Sequence, residues 1–197
     1  MTDGRIPEGR TVDIRLQRAA VRLPVEADAE SLARHADNRN IWINLRDGFP
    51  HPYGVDHARA FIQTARASEP PLRFVIDVEG QAGGAIGFMP DADVGRVAAE
   101  IGYWLGEPFW GRGIMTEVLG AVTEYAIRTH RLTRVYATPF EWNQASFRVL
   151  EKAGYRLEGR LQRSALKDGK IIDQLLYAFV TDQRGVCAGQ FSSAEHS

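Results

Sequence analysis

The chain has 197 residues, 24 Lys and Arg against 25 Asp and Glu, a formal net charge of −1, and a 44% hydrophobic share. That is the size of one ordinary domain, with enough apolar content to pack a core without metal or disulfide support. Balanced charge gives no electrostatic reason to expect a nucleic acid or a membrane surface as partner, and the single Cys187 cannot close an internal bridge, which points to a reducing, cytoplasmic setting.

Residues 1–10 are polar and lack an apolar leader, and 185–197 are rich in Gly, Ser and charge. Both read as loose tails around one domain, 11–184. No stretch approaches the ~20 apolar residues of a membrane span. Val12 to Leu16 alternates apolar and polar residues as an opening strand, which Ala20 to Leu23 would extend. Ala27 to Ala36 predicts a helix, with Leu32 and Ala36 on one face. Ile41 to Tyr53, aromatic and broken by two prolines, reads as irregular or short-helical. Val55 to Ser68 predicts a second helix. Phe74 to Val78 and Ala85 to Met89 flank a slightly long hairpin loop containing Glu79, Gly80, Gly83 and Gly84.

Val97 to Leu105 is a longer strand. Thr116 to Ile127 carries a helical apolar stripe, Arg134 to Thr138 is a strand, and Gln144 to Ala153 is a helix closed by Gly154. Tyr155 to Leu161 and Ile171 to Val180 form a last hairpin around Asp168-Gly169. The order β, α, α, β, β, β, α, β, α, β, β predicts a single-domain α/β (α+β) fold, a mixed, mostly antiparallel sheet with helices on both faces.

The segment EPFWGRGIMT, Glu107 to Thr116, follows a strand and opens a helix. Gly111 and Gly113 let the backbone turn tightly and aim several amides one way, and the helix start adds unpaired N–H groups and the positive end of its dipole. Such a loop holds a diphosphate through its backbone, with Arg112 adding one charge. The dinucleotide fingerprint would need a third glycine where Thr116 stands, and the Gly-Lys-Ser/Thr of a P-loop is absent.

The run AEIGYWLGEPFWGRGIMTEVL, Ala99 to Leu119, resembles the acetyl-CoA signature of the GNAT superfamily of N-acetyltransferases, above all the branch that acetylates ribosomal-protein N-termini. Asn143-x-x-Ser146, followed by Leu150-Glu151-x-x-Gly154-Tyr155, resembles that family's next helix. Lys167-Asp168-Gly169-Lys170, with Asp173 and the strand to Val180, resembles its final hairpin. The resemblance spans about residues 12–182 and implies a GNAT-like fold with acetyl-CoA (coenzyme A) as cofactor. The cofactor would be held by Trp104, Leu105, Trp110, Gly111, Arg112, Gly113, Ile114, Met115, Thr116, Asn143, Ser146 and Phe147. The chain departs from the family at Trp110 and Met115, the outer positions of the glycine loop. It departs again at Leu150, where many members carry a tyrosine that protonates the leaving thiolate.

The resemblance implies direct attack of an amine on the thioester. At pH 7 a lysine-like amine is about one part in a thousand deprotonated and an α-amino group roughly a tenth, so proton removal is part of the barrier. An oxyanion donor is also needed, and the family places it in the backbone near Trp104 or Leu105. Glu100 is the first candidate general base, on one strand face with Gly102 and Trp104; Glu158 is a second, more structural choice. Ser146 is the candidate acid or thiolate contact in place of the tyrosine. Asn143 either bonds the pantetheine arm or caps the following helix.

Leu45, Asp47, Phe49, His51 and Tyr53 are the expected acceptor side, with Asp47 or Asp173 to hold a cationic amine. His35, His51, His57, His130 and His196 have no metal-ligand spacing, and a nucleophile-elbow pattern is absent. Three functions fit: an acetyltransferase for a protein or peptide N-terminus, one for a small amine such as a polyamine or aminoglycoside, or a non-catalytic acyl-CoA-binding module. Either a monomer or a homodimer is compatible with the sequence.

Overall fold

The computed structural model describes residues 12–181; the expected tails lie outside that range. Two short strands open the chain, β1 (Asp13–Arg15) and β2 (Ala20–Arg22), followed by α1 (Ala29–Ala36), α2 (Arg39–Trp42) and α3 (Val55–Ala67). Then come β3 (Arg73–Val78), β4 (Gln81–Pro90), β5 (Ala98–Leu105), α4 (Ile114–His130), β6 (Arg134–Ala137), α5 (Gln144–Lys152), β7 (Arg156–Lys167) and β8 (Lys170–Val180).

All eight strands join one sheet in the order β1-β2-β3-β4-β5-β6-β8-β7. Every neighbouring pair is antiparallel except β5 and β6, which the α4 crossover makes parallel. One sheet face packs Phe74, Ile76, Ile86 and Ile101 against Ile114, Val118, Leu119 and Val122 of α4 and Leu150 of α5. The other face packs Val75 and Ala82 against Leu32 and Ala36 of α1 and Ala58 and Ile62 of α3. Each large apolar side chain fully withdrawn from water contributes about 1.5–3 kcal/mol, so helices on both faces follow from two-sided strands such as Phe74-Val75-Ile76.

Three expectations need correction. β1 and β2 are separate strands that pair as a hairpin, Ile14 opposite Val21, because the chain turns at 17–18. Gly83 and Gly84 belong to β4, and the turn is only Glu79-Gly80. At Gly83 a side-chain carbon would lie 2.5 Å from the Phe109 ring, so this glycine marks close packing within a strand. β7 runs to Lys167 and not Leu161, carried past two register shifts; as an edge strand it is exposed along most of its length and loses clean alternation.

The pairing of β5 sets up the site. β4 accompanies it from Ala99 to Leu105, whereas β6 pairs only with Ala98, Ala99 and Glu100. Beyond Glu100 the two parallel strands part.

Candidate active site

The parting opens into a cavity of about 980 Å³. One wall is the far half of β5, the second is the stretch from Ala137 to Phe140 with the start of α5, and the glycine loop closes one end. The segment 40–49 covers the other end.

The glycine loop has the expected build. Gly111 and Gly113 sit at φ 74° and 76°, in the left-handed region that favours glycine. Gly113 is the N-cap of the 17-residue α4. Gly111, Gly113, Ile114, Met115 and Thr116 all line the cavity, and among the described residues their amides meet no protein acceptor; the first amide of this stretch bonded inward is that of Glu117, to the Gly113 carbonyl. A row of unspent N–H groups at the positive end of a long helix suits a phosphate-bearing ligand. The Trp110 indole donates to the Leu105 carbonyl at 2.7 Å and so pins the loop to the end of β5. Arg112 is directed elsewhere: it pairs with Glu79, lies over the Phe109 ring, and does not line the cavity.

The register of β5 decides between the two expected backbone donors. The Gly106 amide donates to the Gly83 carbonyl at 2.8 Å, so alternation turns the Trp104 amide toward β4 as well. The amides of Tyr103 and Leu105 face the opposite side, where β6 has gone. Leu105 is therefore the better placed of the two, while Trp104 contributes its side chain, packed edge-on against Phe49 at 5.8 Å.

Glu100 lines the cavity where the strands divide. Its Oε1 accepts from Arg46 Nη2 at 2.5 Å and from the Thr138 hydroxyl at 2.8 Å, leaving Oε2 without a partner among the described residues. Ser146 also lines the cavity, in the first turn of α5, and its Oγ lies 2.8 Å from the Tyr103 hydroxyl. Burial pushes the Tyr103 phenol up to about 12, more than the bond to Ser146 lowers it. Asn143 caps α5, its Oδ1 accepting from the Ser146 amide at 3.1 Å, so the cap is the contact made within the protein. Leu150 is wholly buried in the core and does not line the cavity. Phe147 stacks on Tyr177 at 5.8 Å and also lies outside the cavity wall.

On the acceptor side Leu45, Phe49 and Tyr53 line the cavity, whereas Asp47, His51 and Asp173 do not. Both aspartates hold cations, though these are the protein's own. Asp47 accepts from Lys167 at 2.8 Å. Asp173 accepts from the Arg163 amide at 2.7 Å and from Arg160 at 2.5 Å, contacts that hold its carboxyl below the usual range. His51 stacks on Trp42 at 5.5 Å. Glu158 is bound by Arg134, which keeps its carboxyl low, and it takes no part in the cavity.

Sequence reasoning missed Arg46, Thr138 and Tyr103. Arg46 and Thr138 approach Glu100 only through the tertiary fold. Tyr103 had a signal: alternation places it between Ile101 and Leu105 on the core face, where a phenol needs a partner. Among the described residues no helix is long and apolar enough to cross a membrane, and no group of three or more His, Cys, Asp or Glu is placed to hold a metal.

Comparison with known proteins agrees with this geometry. The profile of the acetyltransferase (GNAT) domain family matches residues 18–156. The chain is 36% identical to the uncharacterized N-acetyltransferase YoaA of Bacillus subtilis over 97 residues, 49% of this chain and 54% of that protein. It spans about half the length of several curated relatives that it matches. With the [ribosomal protein uS5]-alanine N-acetyltransferase of Escherichia coli it shares 28% identity over 177 residues, 86% of this chain and 91% of the relative. Mycobacterium smegmatis RimJ, solved in complex with CoA-disulfide, superimposes with a TM-score of 0.76 at 25% identity, covering 88% of each chain. The chain belongs to the acetyltransferase (GNAT) domain family.

Proposed function

We propose that this protein transfers an acetyl group from acetyl-CoA to a primary amine, with the α-amino group of a protein or peptide as acceptor. The observation that carries this reading is the row of unspent amides from Gly111 to Thr116, facing a cavity that continues between β5 and β6 to Glu100. Acetyl-CoA supplies the activated acyl group and a thiol leaving group. The glycine loop and the start of α4 hold its phosphates, and the open edge of β5 offers the Leu105 amide to the acyl oxygen. Glu100, steadied through Oε1 by Arg46 and Thr138, takes the proton of the incoming amine on Oε2. An α-amino group, with a pKa near 8, makes the smaller demand on that base. The ribosomal-protein relative, matched over nearly its whole length, supports a polypeptide acceptor.

Saturating acetyl-CoA is expected to raise the melting temperature by about 5–10 °C. Free-thiol release should then be fastest with alanine-led peptides, slower with amino-blocked peptides that offer only lysine, and slowest with polyamines. An unmoved melting temperature would end the cofactor assignment, and a preference for polyamines would replace the acceptor.

A further inference from the structure

The wall between the glycine loop and Glu100 carries a pair of hydroxyls from two different elements, Tyr103 of β5 and Ser146 of α5, 2.8 Å apart. Both line the cavity. The Thr138 hydroxyl, also on that wall, is already spent on Glu100. Among the described residues Ser146 is the only partner of the Tyr103 hydroxyl. If serine donated, the phenolic hydrogen would have no acceptor among the described residues. With tyrosine as donor both hydrogens are used, because the serine then keeps its own for the cavity. A phenol is also the stronger donor of the two.

We propose that Tyr103 is a positioning residue whose phenol donates to Ser146 Oγ and so aims the serine hydrogen at the sulfur that departs during transfer. This rests on reading the cavity as an acyl-CoA site. The amine nitrogen bonds to the acyl carbon and gives its proton to Glu100. The C–S bond breaks with its electron pair on sulfur. The thiolate is held by the Ser146 O–H and takes its proton from water on release. Tyr103 loses no proton; it polarises the serine through a two-bond chain. This arrangement stands in for the tyrosine that Leu150 displaces, with the phenol supplied by the strand facing α5.

The test is the thiol pKa of bound coenzyme A, read from its ultraviolet thiolate absorbance. Subtracting the spectrum of the desulfo-CoA complex removes the protein's own Cys187. The bound thiol is expected to titrate about one pH unit lower in the wild type than in Tyr103→Phe, a roughly tenfold change in thiolate stability. Ser146→Ala should give the same rise, and the double variant no further rise, with desulfo-CoA affinity unchanged throughout. Ser146→Ala, at a half-buried position, reads the same effect should Tyr103→Phe lose its fold. Equal titration in wild type and both variants overturns the proposal while leaving the acyl-CoA site standing. Additive rises overturn the relay. Failure of both coenzyme A and desulfo-CoA to bind removes the site itself.

Discussion

Glu100 shows how little of a side chain's role is fixed by its place in a strand. Alternation gave its face correctly, but the two donors that hold Oε1, Arg46 from the 40–49 segment and Thr138 from beyond β6, come from 54 and 38 residues away. Neither partner is legible locally. Their effect is to fix one oxygen and leave the other toward the cavity, the arrangement on which the proposed proton transfer rests. Glu100→Gln keeps the shape and both donors' neighbour but cannot accept a proton. It is expected to lower kcat by about 10²-fold or more, to flatten the rise of activity with pH, and to leave acetyl-CoA affinity nearly unchanged. A pH profile of turnover beside a binding titration measures both; wild-type turnover across pH would remove Glu100 from the chemistry. The same contrast between type and partner holds at Asp47 and Asp173: the expectation that one of them holds the cationic acceptor amine is not met, because Lys167 in one case and Arg160 in the other already occupy these carboxylates, outside the cavity.

At the scale of elements, the sequence was clearest where backbone conformation does the work. The conformation of the glycine loop was legible because it rests on positive φ and unspent amides, which Gly111 and Gly113 encode directly. It was less clear where packing decides. Gly83 and Gly84 looked like turn residues, yet they are small because Phe109 and the β5 backbone press on them. β7 escaped full detection because an edge strand with bulges has no single buried face to impose a period of two. A pair of substitutions, one at the N-cap of α4 and one in its interior, isolates the conformational term. A methyl group added at Gly113 or at Gly120 meets nothing within 4 Å, but only Gly113 has positive φ. Gly113→Ala is expected to cost about 1–2 kcal/mol, lower the melting temperature by several degrees, and weaken acetyl-CoA binding about tenfold or more as the amides turn away. Gly120→Ala, in the helix interior, should stabilise by about 0.5–1 kcal/mol and leave binding alone. Thermal melts with and without ligand separate the two; equal effects would mean that the loop's conformation is not what holds the phosphates.

Across the whole molecule, the segment over the mouth of the cavity is tied to the far end of the sheet. The β7–β8 hairpin tip reaches back to α2 and the residues after it. Asp168 pairs with Arg39 at 2.7 Å, and the Lys167 ammonium lies 3.8 Å from the centre of the Trp42 ring while donating to Asp47. Lys167 is 1% exposed, whereas the Asp47 side chain is 75% exposed. That asymmetry makes the two halves of the pair unequal. Asp47→Ala leaves an ammonium buried with only an aromatic face for company, which costs about 3–5 kcal/mol. Lys167→Met fills the same space without charge and leaves behind a carboxylate already in water, so it should cost about 1 kcal/mol or less. Both changes untie the 40–49 segment that carries Arg46 and Leu45. The expected outcome is a melting temperature several degrees lower for Asp47→Ala than for Lys167→Met. KM for the amine should rise in both, while affinity for acetyl-CoA, held at the opposite end of the cavity, stays unchanged. Were Lys167→Met the more damaging of the two, the ammonium would be working through more than its pairing with Asp47 and the Trp42 face; a rise in the acetyl-CoA Kd would show that the tie reaches the glycine loop as well.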